Sequence, residues 1–404
     1  VDNLELALKT RNKKIIIASF LFCIALFPYI SIFWQDYFPL VNVKINWLLY
    51  PILISGIIMV VLIREKAPSV FYLLLLFTLF YLLLIALKGE EFETLFRFST
   101  AVLPFSFIDF FYDEKISAKN MRLFWIVYCL CFSVPLYYAY LQYVGKMPYY
   151  DFDVQNGVYG GRISGGYNKP MNFVAYLFPI FVGGFYFLLI KRKRIIGYGI
   201  ILGICALLIV IGHRTSLISF LVIIASSFFQ RSTIKLIYFY YKNFINFLAG
   251  ISIFIGFYFF YYAFGIKEGL RGRIAMWEAH AENFFNDDFL SIIFGNQKIL
   301  LDSKYSSEPL IGPLALEEAH NNTFRTIIFF GVFGYFLYCL FIRWLVLKVY
   351  RSTEDQHILF IRFSCFTFLI LYMITNEPIY YGSILYPILV CILPIYPQRN
   401  EMKV

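Results

Sequence analysis

Apolar runs of about 17 to 25 residues recur from one end of the chain to the other, broken by short polar connections, and a single long polar stretch occupies 265–322. A helix needs about 20 mostly apolar residues to cross about 30 Å of hydrocarbon. Runs at 15–34, 45–63, 68–87, 95–112, 122–144, 171–190, 195–212, 215–229, 243–264, 323–347, 358–376 and 380–396 therefore predict about 12 crossings. The pattern is that of an all-α polytopic membrane protein, because a helix satisfies its own backbone groups where no water can. It divides the chain into helices and short loops over 1–264, the polar loop 265–322, and three more helices over 323–404.

Composition agrees with the pattern. Of 404 residues 60% are hydrophobic, 21% aromatic and only 15% charged, with a mean hydropathy of +0.71. Soluble domains carry about 25% charged residues. The net charge of +10 does not point to nucleic acid, because its placement follows the membrane. Twenty of the 35 Lys and Arg fall on alternate connections, including Lys191 to Arg194, Arg231, Lys235, Lys242, Lys348 and Arg351. The positive-inside rule makes those connections and both termini cytoplasmic, so 145–170 and 265–322 face outward. All seven cysteines fall inside the expected spans, which gives neither a disulfide framework nor a zinc motif. The basic start before residue 15 reads as a retained signal anchor.

Polar groups that sit against this grain are the candidates for chemistry. Arg343 and Arg362 lie near cytoplasmic helix ends, where a long side chain is expected to snorkel to water. Arg214 occupies the short outer turn Gly212-His213-Arg214-Thr215-Ser216, either as an interfacial anchor or facing the mouth of the bundle. In the outer loop, five glycines from Gly157 to Gly166 allow close approach to a ligand, and Arg162 and Lys169 beside them suit an anion; a solvated loop is the plain alternative. Residues 273–285 fit an amphipathic helix with Ile274, Trp277, Ala281, Phe284 and Phe285 on one face and Arg273 and His280 at its rim. That helix either lies in the headgroup layer, holding Arg273 at phosphate depth, or simply packs on the bundle. His320 precedes a helix expected to start near Thr323 with Asn322 as its N-cap. The helix N-terminus favours anions and would keep a nearby imidazole neutral and able to take a proton. Glu317 and Glu318 stand beside it. His213, His280 and His320 lack the spacing of a zinc site, and Asp151-Phe152-Asp153 lies on the wrong side to hold a nucleotide sugar.

Four segments in order then carry a resemblance: Gly161-Arg162-Ile163-Ser164-Gly165 through Asn172, Gly212 to Ser216, Arg271-Gly272-Arg273-Ile274-Ala275-Met276-Trp277, and Ala319-His320-Asn321-Asn322-Thr323-Phe324 with Gly331 and Gly334 following. Together they resemble the O-antigen polymerases (the Wzy type) and ligases of Gram-negative bacteria. Lys169 between Asn168 and Pro170, and Phe324 and Arg325 after the histidine motif, depart from the family's pattern. The resemblance implies a GT-C-like fold with one large periplasmic loop, an inner-membrane location, and a glycosyltransferase needing neither metal nor cofactor. The donor would be an undecaprenyl-pyrophosphate-linked oligosaccharide lying among membrane lipid, with a separate chain-length regulator as partner. Arg214 and Arg273, assisted by Arg162 and Arg271, would then hold the pyrophosphate through bidentate guanidinium contacts. His320 would act as base on the acceptor hydroxyl, oriented by Glu317 or Glu318. One displacement with one base implies inversion at the anomeric carbon. Polymerase is the favoured reading, ligase the alternative. A flippase for lipid-linked oligosaccharides is the non-enzyme alternative, disfavoured because it would need charge within its spans.

Overall fold

The computed structural model describes residues 118–147, 163–166, 170–264 and 322–373 except 354, most of 277–295, and scattered positions within 15–29, at 79 and at 390–391. Everything regular among them is helical. The helices are α1 (Ala118–Tyr143), α2 (Pro170–Phe185, continued by a π-helical turn Tyr186–Ile190), α3 (Arg194–Ile211), α4 (Arg214–Ser226), α5 (Gln230–Lys242), α6 (Ile245–Phe264), α7 (Phe289–Phe294), α8 (Asn322–Arg351) and α9 (Gln356–Met373). The chain is thus a multi-pass, membrane-associated helical protein.

Aromatic packing sets the directions of these helices. Phe132 stacks on Phe173 and the Tyr128 hydroxyl donates to the Tyr176 carbonyl, so α1 and α2 run antiparallel. Phe178 stacks on Phe368 at 4.3 Å between ring centroids, and Phe185 meets Phe360, so α2 and α9 are antiparallel too. Against α8, α6 places Phe254 and Phe257 at Phe324 and Phe247 at Tyr335, again antiparallel. Rings of this size each remove a large apolar area from solvent and prefer the offset and edge-on arrangements seen here. Leu21 and Ala25 are buried, and Ala18, Leu21, Phe22 and Ala25 face Leu123, Phe124 and Val127 of α1 across a small apolar cleft.

Two ends emerge from these directions. One carries Lys191 to Arg194, the start of α9 and the last turn of α8 with Lys348 and Arg351. The opposite end carries Lys146, Arg214, and the acids Glu282, Asp287 and Asp288. At this end the Gln142 side-chain oxygen accepts from the backbone N–H of Ser164 and Gly165 at 2.9 Å each, tying the 163–166 segment to α1.

The expectation of about 12 crossings in a GT-C-like arrangement is corrected here. Among the described residues five helical stretches are long and apolar enough to cross a membrane: Asn120–Tyr143, Phe173–Ile190, Arg194–Ile211, Arg214–Lys242 and Thr323–Arg351. Two further apolar helices, Ile245–Phe259 and Gln356–Leu371, are shorter. The expected spans 45–63 and 95–112, and most of 15–34, 68–87 and 380–396, lie outside the described residues; within the described residues, hydropathy misjudges spans because it sees apolar residues and not helix ends. The 13 residues of α4 span about 20 Å at 1.5 Å each, less than a bilayer core. The Arg214–Lys242 stretch also bends. Phe220 on Phe368 and Gln230 on His357 carry α4 down α9, yet Tyr241 lies on Phe366, so the chain has turned back. The turn is made at Phe229, whose φ of −121° and ψ of 38° leave the helical region. The basic connection after span eight is accordingly a helix, α5, with Ile234, Ile237 and Tyr241 buried.

α8 is broken as well. Gly331 has φ 66° and ψ −176°, conformations that only glycine adopts freely. Its Cα sits against the Ile293 carbonyl, and Gly295 at the end of α7 sits against the backbone of Phe329 and Phe330. Across the break the Thr323 methyl and the Tyr335 hydroxyl both lie against Gly250 of α6, although a straight helix would separate the two backbones by about 18 Å.

Candidate functional site

Of the residues expected to carry chemistry, Arg214 alone is among those described; Arg162, Arg271, Arg273, Glu317, Glu318 and His320 lie outside them. Arg214 opens α4. Gly212, at φ 75°, ends α3 with its N–H on the Leu208 and Ile209 carbonyls, and only a residue at ease in the left-handed region closes so short a hairpin. His213 then caps α4, its Nδ1 accepting from the Ser216 N–H at 3.4 Å. Ser216 and Ser219 are fully buried behind this cap, and Ser219 Oγ donates to the Thr215 carbonyl at 2.8 Å. The guanidinium of Arg214 is left exposed on the first turn. There it adds a full positive charge to the partial charge of the helix N-terminus, a combination that favours an anion.

The polar stretch 265–322 is not a solvated loop where it is described. Trp277, His280, Ala281, Glu282, Phe284 and Phe285 are helical, and Trp277 stacks on Phe324 with ring planes 13° apart. Phe284 and Phe285 pack on Phe254 of α6. The amphipathic segment therefore packs on the bundle. His280 moves from the rim to the centre of the packed face, with none of its surface exposed. The reason is geometric: positions 277, 280, 281 and 284 share one helical face, and α6 and α8 together cover a wider arc than a flat membrane surface would. After Asp288 caps it through the Ser291 N–H, α7 descends along α8 as far as Gly331.

α8 begins at Asn322, the residue expected to cap it, and every residue from Phe324 to Phe330 is buried. Arg325 is inside this stretch, 6% exposed, with its guanidinium carbon 4.7 Å from the centre of the Phe329 ring. A cation over an aromatic face regains part of the hydration it has lost. Beside its departure from the family's pattern, the sequence signal for Arg325 is its position at the start of an apolar span, three residues after the first residue of the helix. Arg362 also departs from expectation. It is 2% exposed and donates to Ser352 Oγ, so it is buried and hydrogen-bonded instead of snorkelling. Arg343 is half-buried over the Phe244 ring at 4.6 Å.

The helices that carry Arg214 and Arg325, α4 and α8, both pack on α9. Among the described residues no group of three His, Cys, Asp or Glu side chains converges as metal ligands would. No family model, curated protein or solved structure matches the chain.

Proposed function

We propose that the chain is a membrane glycosyltransferase that polymerises lipid-linked repeat units at the outer face of the bacterial inner membrane. A growing glycan on undecaprenyl pyrophosphate is transferred to a sugar hydroxyl of the next lipid-linked unit. The C1–O bond to pyrophosphate breaks, the acceptor oxygen bonds to C1 from the opposite face, and the acceptor proton passes to His320. Arg214 and Arg273, with Arg162 and Arg271, stabilise the departing pyrophosphate, and Glu317 or Glu318 orients the histidine. Fixed guanidinium groups suit a leaving group whose charge grows in the transition state. The reaction needs no metal in this scheme, and a chain-length regulator acts as a separate partner.

The observation that carries the reading is Arg214, exposed on the capped first turn of α4 at the end opposite the basic connections. Docking of the Trp277 segment on α6 and α8 supports it, because Arg273 lies one helical turn before Trp277 in sequence. A second reading, a flippase for the same lipid-linked oligosaccharide, gains support from Arg325 and His280, which place polar side chains between the helices.

Purified protein incubated with undecaprenyl-pyrophosphate-linked repeat units, and no other protein, separates these. A ladder of longer lipid-linked chains is expected, and Arg214→Ala should slow its formation by about 10²–10³-fold. Folded protein that gives no ladder overturns the polymerase. Transfer to a lipid A core acceptor would mark a ligase, and translocation without extension a flippase.

A further inference from the structure

The basic end of the bundle has a surface that the proposed chemistry does not use. α5 buries Ile234, Ile237 and Tyr241 against α8 and α9. Its other side exposes Arg231, Lys235 and Lys242 together with Leu236 and Phe239, and the turn before it exposes Phe228 at 80% and Phe229 at 69%. α5 lies level with the basic end of α8: Tyr238 stacks on Tyr350 at 4.1 Å, and Phe244 just beyond α5 lies under Arg343. Lys242 folds back over the Tyr238 ring at 5.3 Å, which directs its ammonium toward the same end.

A second patch of the same kind stands across the start of α9. Lys191 to Arg194 turn the chain between α2 and α3, with Arg192 at φ 55°, and Ile195, Ile196 and Tyr198 follow, exposed. The two patches are brought to one end by Phe185 on Phe360 and Gln230 on His357. The sequence has no Asp or Glu from Val154 to Lys267, and Asp355, the described acid at this end, accepts from the His357 and Ile358 N–H groups as the cap of α9.

We propose that this face binds anionic phospholipid headgroups, with Phe228, Phe229, Leu236, Phe239 and Ile195 entering the acyl boundary beneath them. Exposed rings and aliphatic side chains interleaved with exposed Lys and Arg are costly in water and suited to a headgroup layer. A protein partner would have to bring acids and apolar groups in the same alternation over two separate patches; an anionic leaflet supplies both everywhere. Each Lys or Arg held at such a surface strengthens binding about fivefold.

The test uses full-length protein in zwitterionic detergent, titrated with phosphatidylglycerol or with phosphatidylcholine, and read by native mass spectrometry of retained lipid and by the thermal midpoint. Phosphatidylglycerol should be retained and raise the midpoint; phosphatidylcholine should do neither. The triple variant R231Q/K235Q/K242Q should weaken phosphatidylglycerol binding by about a hundredfold, three cations at about fivefold each. Lys146→Gln, the same change on an exposed lysine at the other end, should leave it unchanged. If the triple variant does not purify, raising NaCl from 50 to 500 mM must abolish the preference of the unaltered protein, since exposed charges are screened over a few ångströms at high salt. Equal retention of the two lipids, an unaffected triple variant, or an equal effect of Lys146→Gln overturns the proposal.

Discussion

Replacing Gly331 by alanine puts the broken α8 under direct test. The residue sits at φ 66° and ψ −176° inside a stretch that is otherwise helical on both sides. Holding a residue with a Cβ in that region costs about 1–3 kcal/mol. A Cβ built there also overlaps the Ile293 carbonyl and the Phe294 N–H, which are backbone atoms of α7 and cannot swing aside. Overpacking of a tight contact adds about 1–3 kcal/mol. The sum, about 2–6 kcal/mol, is a large share of the 5–15 kcal/mol by which folded domains are usually stable. Gly203→Ala is the control, because Gly203 lies within α3 with open space around its Cα. There alanine should stabilise the helix by up to about 1 kcal/mol. The assay is thermal unfolding in detergent with a thiol-reactive dye, which reports the exposure of Cys339 and Cys365, both fully buried in the folded protein. Gly331→Ala should lower the midpoint clearly and Gly203→Ala should hold or raise it. A Gly331→Ala protein that melts with or above the unaltered one would mean that α8 runs straight through this position and that the packing of α7 has been misread.

Three more outcomes are expected. Gln142→Ala strands the buried N–H groups of Ser164 and Gly165, at about 1–3 kcal/mol each, so hydrogen exchange or limited proteolysis should find the 163–166 segment released while α1 keeps its protection. Gly250→Ala should push the Tyr335 ring off its bond to the Asn246 carbonyl, and because Tyr335→Phe removes the overlapping hydroxyl, the pair should couple by about 0.5–3 kcal/mol in a thermal double-mutant cycle. Arg214→Lys should retain more chain extension than Arg214→Ala but less than the unaltered protein, since an ammonium offers charge without a bidentate fork; equal rates for the three would remove Arg214 from the site.

Local pattern was enough to decide that this chain is helical, that it is built for a membrane, and roughly where α1, α2, α3, α6, α8 and α9 begin and end. Those properties follow from the length of apolar runs and from Gly, Asn and Asp at helix ends, which act within a few residues of themselves. The hairpin around Arg214 was legible for the same reason: Gly212 and His213 are adjacent to what they cap. Tertiary structure decided what no local window contains. Whether an apolar run crosses alone or turns back depends on a single residue such as Phe229 and on what lies opposite it. His280 and Arg362 look peripheral in sequence and are buried in the fold, because burial is set by the second and third helices packed against a face and not by that face's own composition. The break at Gly331 needed the backbone of Ile293, 38 positions earlier in the chain, to lie against it. Such long-range pairs are fixed only when the bundle closes.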